Sequence, residues 1–350
     1  MKTINFNKPI LVTGGSGYIA SWIIKYLLEK NHTVRFTVRN IDNADKYKHL
    51  IDIAKNSSGK LEVLEADLLE NGSFENAMKD CELIFHTASP FKISNINDPQ
   101  KELIDPALEG TRNVLNSANK TPSVKRIILT ASVASIYGDT IDIKKTTNGI
   151  FTENNWNTTS CTKHQPYSYS KTIAEKEAWA ISKRQDQWDL ITIHPGLVLG
   201  PSLTKRKDST SIDLMISLLN GKYKMGIPDL QMGIVDVRNI AQIHISAGFT
   251  QEAYGRYISV ADTVKMIDIA NILRTEYGNK FPIPKNILPK FLLYLFGPFQ
   301  GFSWKYIKKN IGIPIEFDNS RSKKELKIKY KNINKTIIDH SKQIIDDGLI

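Results

Sequence analysis

Residues 10–20 read Ile10-Leu11-Val12-Thr13-Gly14-Gly15-Ser16-Gly17-Tyr18-Ile19-Ala20, a short apolar run, a glycine-rich turn and the start of an amphipathic segment. Ile10–Thr13 reads as a buried strand, and Tyr18–Lys30 as a helix with Ile19, Ile23, Ile24, Leu27 and Leu28 on one side. Strand, tight glycine turn, then helix is the context that a dinucleotide-binding fingerprint requires. Gly14 and Gly17 let the backbone turn sharply and approach a pyrophosphate, whose charge the helix N-terminus favours. Ala20 stands at the third small position of the usual spacing and still permits close helix–sheet packing. Thr13, Gly14, Gly15, Ser16, Gly17, Tyr18 and Ile19 are therefore candidate cofactor contacts.

Outward from this turn, apolar runs alternate with amphipathic ones. Thr33–Arg39, Leu61–Glu65, Leu83–Thr87, Arg126–Thr130 and Trp188–His194 read as further strands, with helices near Pro99–Ala118 and Ser168–Arg184 between them. Such alternation predicts an α/β fold with a doubly wound parallel sheet of Rossmann type and a smaller C-terminal substrate lobe. Residues 1–195 are assigned to the dinucleotide-binding domain, its sheet completed by elements near 233–260. Residues 196–350 are assigned mainly to substrate binding. Gly233–Val237 is expected as a strand returning to the sheet, Asn239–Phe249 as a helix, and Tyr257–Val260 as a short strand. Helices at Val264–Tyr277 and Thr336–Leu349 complete the reading.

The bulk numbers fit a globular protein: 350 residues, 41% hydrophobic, 24% charged and a formal net charge of +11. Lysines of the C-terminal third supply much of the excess, but Glu316, Asp318 and Glu325 intervene and no nucleic-acid motif accompanies them. The run reads as a solvated face, with no nucleic acid as partner. Cys81 and Cys161 are far apart and lack metal-ligand spacing, which suggests a reducing compartment, no disulfide framework and no metal. No secretory leader is read at the N-terminus and no apolar run is long enough to span a membrane. The expectation is a cytoplasmic, soluble monomer or homodimer. The most apolar run, Ile287–Phe296, is interrupted by Pro289 and Lys290 and reads as a lid or core helix in preference to an interfacial anchor.

Two further positions bear on chemistry. An acid at the tip of the second strand holds the ribose hydroxyls of NAD, whereas an arginine accommodates the 2′-phosphate of NADP. The strand ends Val38-Arg39-Asn40, so Arg39 points to NADP(H) in preference to NAD(H), with Lys46 as a second positive charge. Farther on, Tyr167-Ser168-Tyr169-Ser170-Lys171 places a lysine four residues after a tyrosine, on the same helical face. The ammonium is expected to favour the phenolate and lower the phenol pKa, making Tyr167 a proton donor or acceptor. Tyr169 falls off the face of Lys171, and Tyr137 has no lysine at helical spacing. His86 and His194, at the ends of apolar runs, read as structural.

These motifs together resemble the extended short-chain dehydrogenase/reductases, within the NAD-dependent epimerase/dehydratase superfamily. Several strings resemble the dihydroflavonol reductase, cinnamoyl-CoA reductase and methylglyoxal reductase group. They include Ala66-Asp67-Leu68-Leu69, Phe85-His86-Thr87-Ala88-Ser89-Pro90, Leu129-Thr130-Ala131-Ser132 and His194-Pro195-Gly196-Leu197-Val198. The resemblance implies that Ser132 hydrogen-bonds the substrate carbonyl, Tyr167 donates the proton, and Lys171 binds the nicotinamide ribose. It places Asp67 and Leu68 at the adenine, Thr87, Ala88 and Ser89 along the nicotinamide side, and Pro195, Gly196, Leu197 and Val198 beside the nicotinamide amide. Ala131 departs from relatives that carry a second serine there.

The expected activity is NADPH-dependent reduction of an aldehyde or ketone, with a small carbonyl compound as substrate. Nucleotide-sugar epimerase or dehydratase is the rival enzyme class, but Val133-Ala134 follows Ser132 where dehydratases carry acids. A 3β-hydroxysteroid-type dehydrogenase is a further alternative, and a non-enzymatic NADP(H) binder is disfavoured because Tyr167 and Lys171 are both present. Substrate-pocket residues are expected around 92–96, 141–156, 202–225 and 281–302.

Overall fold

The computed structural model describes residues 2–89, 96–206 and 209–350. Positions 92–95 of the first expected pocket segment, 207–208 of another, and Pro90 lie outside the described residues. Seven strands form the main sheet: β1 (Ile10–Thr13), β2 (Thr33–Val38), β3 (Lys60–Glu65), β4 (Leu83–His86), β5 (Arg126–Thr130), β6 (Asp189–Pro195) and β9 (Gly255–Ser259). Their order is β3-β2-β1-β4-β5-β6-β9, and every pairing is parallel. Parallel pairing needs a crossover on each connection, which covers both faces of the inner strands and explains the apolar runs of β1, β4 and β5.

Side chains alternate between the two faces along each strand. Ile10 and Val12 pack with Ile23, Ile24, Leu27 and Ile240, beneath the helices Tyr18–Glu29 and Val237–Phe249. Leu11 and Ile84 face the other way, with Val114, Leu115 and Ala178 from the helices Asp105–Asn119 and Pro166–Ser182. At the foot of the sheet the buried Arg126 donates to the carbonyls of Thr250 (2.7 Å) and Gln251 (3.0 Å), satisfying groups left open by the end of the Val237–Phe249 helix.

The expectation that Gly233–Val237 rejoins the main sheet is corrected. The strand there, β8 (Gln231–Asp236), lies in a separate three-stranded sheet with β7 (Leu197–Leu199) and β10 (Asp262–Lys265). Of the elements near 233–260, only β9 completes the main sheet. The physical reason lies at Gly196, where a Cβ would come within 2.3 Å of the Gly233 carbonyl oxygen. The missing side chain lets the chain leaving β6 run against β8, pairing Leu197 with Ile234. This small sheet packs on Ile212, Met215, Leu218, Ile269, Leu273 and Ile337, which form a third apolar core.

Candidate active site

Strands β1 and β4 lie side by side although the chain passes through β2 and β3 between them. That reversal opens a crevice at the C-terminal strand ends, where open α/β sheets bind ligands. On its β1 side, Gly14 has φ +66°, a left-handed conformation that favours glycine. Gly15 admits no side chain either, since a Cβ would meet the Phe36 ring at 2.3 Å. Gly17 precedes the Tyr18–Glu29 helix, whose N-terminus has no side-chain cap and no acid in its first turn. An uncapped end of this kind offers backbone N–H groups and a positive dipole end to an anion, and the cradle fits a dinucleotide pyrophosphate.

Thr13, Tyr18 and Ile19 are tied into the fold by hydrogen bonds and packing. The Thr13 hydroxyl lies 2.9 Å from His86 Nδ1 and accepts from the backbone N–H of Thr87 (3.2 Å) and Ala88 (3.1 Å). It therefore ties the end of β1 to the segment after β4. Tyr18 donates its hydroxyl to the Gly200 carbonyl, and burial pushes its phenol well up. Ile19 packs partly buried on the first core. Arg39 and Lys46 stand exposed beyond the end of β2. Asp67 and Leu68 follow β3; Leu68 packs beside Gly110 of the Asp105–Asn119 helix. Their backbone carbonyls accept from the Asn113 side-chain amide.

The Pro166–Ser182 helix begins with Pro166 after Gln165, itself in the left-handed region (φ 57°). Four residues separate Tyr167 and Lys171, which brings the lysine Nζ over the tyrosine ring at 5.8 Å from its centroid. Nζ also donates to Ser89 Oγ at 2.8 Å, bridging the helix to the end of β4. Ser132, just past β5, hydrogen-bonds the Tyr167 phenol, and its Oγ accepts from the Ala134 N–H at 3.2 Å. A cavity at these strand ends is lined by Leu68, Ala88, Ser89 and Lys171, together with Ala131 and Glu175.

The expected lowering of the phenol pKa is corrected. Burial pushes Tyr167 up to about 12, while the Ser132 hydrogen bond acts the other way. Burial also pushes the Lys171 ammonium down to about 8. Desolvation dominates at both groups, because burial removes the hydration that stabilises the phenolate and the ammonium. His86, buried beside Lys171, is held down to about 3 by desolvation and then by the lysine charge, so it stays neutral.

Sequence reasoning missed the group that holds this site together. Glu175 lies one turn beyond Lys171 and is buried. Its carboxylate accepts from Arg256 Nε (2.8 Å), Thr192 Oγ1 (3.1 Å) and Trp179 Nε1 (3.1 Å), and lies 2.9 Å from His194 Nε2. The Ser135 hydroxyl shares its one proton between this carboxylate and the Ser132 carbonyl, so the same carboxylate pins the segment carrying Ser132. Although burial opposes it, the His194 and Arg256 charges hold the Glu175 carboxyl well below the usual range. Replacing Glu175 with Leu leaves Arg256 charged in an apolar setting. We expect a loss of about 3 kcal/mol in unfolding free energy, read as a lower denaturant midpoint at unchanged slope.

Among the described residues no helix is long and apolar enough to cross a membrane, and no cluster of potential metal ligands occurs. Cys81 is buried and Cys161 exposed, both as free thiols.

Comparison with known proteins places this geometry. Residues 10–254 match the NAD dependent epimerase/dehydratase family. Cinnamoyl-CoA reductase CAD2 of Medicago truncatula is 38% identical over 280 residues, covering 79% of this chain and 83% of that protein. An anthocyanidin reductase of Vitis vinifera is 35% identical over 320 residues, covering 85% and 91%. The yeast methylglyoxal/isovaleraldehyde reductase Gre2, solved with NADPH, superposes with a TM-score of 0.81 at 28% identity, covering 98% of this chain and 100% of that one. The chain thus belongs to the NAD dependent epimerase/dehydratase family, the extended short-chain dehydrogenase/reductases.

Proposed function

We propose that the protein is an NADPH-dependent reductase of aldehydes or ketones, with Ser132, Tyr167 and Lys171 as its proton-delivery site. One observation carries the reading: Tyr167, bonded to Ser132, sits one helical turn from a lysine bonded across the crevice to Ser89. The reductase names of the relatives support carbonyl reduction, and the NADPH held by the yeast enzyme supports the cofactor. Arg39 at the end of β2 supports recognition of the 2′-phosphate. The residues beside the crevice take the roles the resemblance implies, with Asp67 and Leu68 at the adenine and Thr87, Ala88, Pro195, Gly196, Leu197 and Val198 near the nicotinamide. Residues 1–195 with β9 hold the cofactor, and residues 196–350 mainly shape the substrate side.

When bound, NADPH supplies the hydride. Ser132 orients the substrate oxygen. Burial keeps Tyr167 protonated at neutral pH, ready to give its proton as negative charge builds on that oxygen. The Lys171 ammonium, with a pKa of about 8, is charged at pH 7 and stabilises the phenolate that remains. Within a family named for epimerases and dehydratases, the apolar Val133 and Ala134 after Ser132 provide no second acid–base group for dehydration.

The test is an NADPH-oxidation screen over aldehydes, diketones and aromatic ketones, with NADH and UDP-sugars as controls. We expect carbonyl-dependent NADPH oxidation and a weaker NADH reaction. Sugar turnover without net cofactor oxidation would overturn the reductase reading.

A further inference from the structure

From Asn279 to Ile315 the chain carries six lysines and no Asp or Glu. The apolar helix in this stretch, Lys290–Phe296, is not a core helix: Leu293 is its one buried residue. Phe291 is 68% exposed, Leu295 61% and Phe296 55%. Trp304, 66% exposed, donates its indole N–H to the Tyr294 carbonyl at 3.0 Å, which fixes a second large ring beside the helix. Met225, 82% exposed, lies two residues before Ile227, which bridges to Ile287 at the near end of the same stretch.

Large exposed apolar side chains gathered in one region mark a surface that is covered by something. The charge pattern says what kind of partner covers it. Lys285, Lys305 and Lys308 are exposed, and among the described residues none of the three forms an ion pair. Lys309 and Lys290 are used inward, on Asp139 (3.0 Å) and on the Ile311 carbonyl (2.7 Å). A two-fold dimer would bring this patch against itself, since such an interface uses the same surface on both subunits. Such a contact would gather the lysines of both copies into one interface, with no acid in the stretch to compensate. An aromatic and aliphatic ridge with lysines at its edges instead matches a membrane–water interface, where rings enter the headgroup layer and ammonium groups meet anionic lipid.

We propose that the Lys290–Phe296 helix and Trp304 dock the protein peripherally on an anionic phospholipid bilayer. Phe291, Leu295 and Phe296 insert at the acyl boundary while Lys285, Lys305 and Lys308 contact the headgroups. The helix lies on the surface and does not cross it, because seven residues are far too short for a span. Both contributions are needed, since weak apolar insertion and short-range charge attraction each give marginal, reversible binding alone.

The experiment is vesicle sedimentation of the full chain at low and moderate salt. Equimolar phosphatidylcholine/phosphatidylglycerol vesicles are compared with phosphatidylcholine vesicles. We expect about tenfold or stronger partitioning onto the anionic vesicles, falling as salt screens the lysines. Phe291→Ser combined with Leu295→Ser is expected to reduce that partitioning about tenfold. Lys305→Gln with Lys308→Gln is expected to erase the preference for anionic lipid. A retained cooperative thermal transition in each variant establishes that folding is intact. Wild-type protein that ignores anionic vesicles, or folded double variants that bind as wild type does, would overturn the proposal. So would a concentration-dependent dimer that the Phe291/Leu295 variant abolishes while vesicle binding is absent; that result assigns the face to a second copy.

Discussion

Tyr167→Phe is expected to lower kcat for carbonyl reduction by about a thousandfold, within the range that a positioned proton donor contributes, while NADPH affinity changes by no more than about twofold. The substitution keeps the ring and removes only the hydroxyl, so the packing at the start of the Pro166–Ser182 helix survives. Ser132 loses its phenol partner, a net cost to stability of about 1 kcal/mol. Steady-state rates beside a fluorescence titration of NADPH separate the two effects. Turnover near the wild-type level in the variant would assign the proton to another group.

Lys171→Met is expected to abolish turnover and yet raise the melting temperature. The ammonium's pKa falls from 10.5 to about 8 on folding, so the unfolded chain holds its proton more tightly than the native one. The resulting penalty is fully present below about pH 8 and is relieved as pH rises toward 10.5. Methionine fills similar volume without the charge. The gain at pH 7 is about 1 kcal/mol, after allowing for solvent access at the cavity mouth and the lost bond to Ser89. The gain shrinks as the pH approaches 10, and thermal melts at pH 7 and pH 10 reveal it. The same titration predicts that reduction by the wild-type protein slows above about pH 8. A variant less stable than wild type at pH 7 would show that the Ser89 bond outweighs desolvation.

Much of the main sheet was legible because parallel strands buried on both faces leave unbroken apolar runs, and because the glycine turn has a local backbone requirement. Tyr167 and Lys171 were legible for a similar reason, their spacing being one helical turn. Contacts made across the fold left no such mark. Strands β7 and β10 span Leu197–Leu199 and Asp262–Lys265, too short for a period to register, and Gly233–Val237 therefore read as part of the wrong sheet. Glu175 lies one turn beyond the Tyr167–Lys171 string, but its partners Arg256 and His194 come from other elements of the chain. One clue was available: an acid one turn after Lys171, on a helix whose inward face carries the small residues Ser168, Thr172 and Ala178. The pKa of Tyr167 was not legible, because helical spacing reports proximity of charge and is silent on desolvation.

The bond from Arg256 to Glu175 closes a loop in which the two residues stand 81 positions apart. A ribosome adds roughly 5–20 residues per second, so the carboxylate is synthesised about 4–16 s before the guanidinium that neutralises it. During that interval the half-made sheet carries an acid with nowhere dry to go. The Pro166–Ser182 helix thus gains the guanidinium partner of its buried acid only after the chain has left the first sheet, made β7 and β8 and come back to lay down β9.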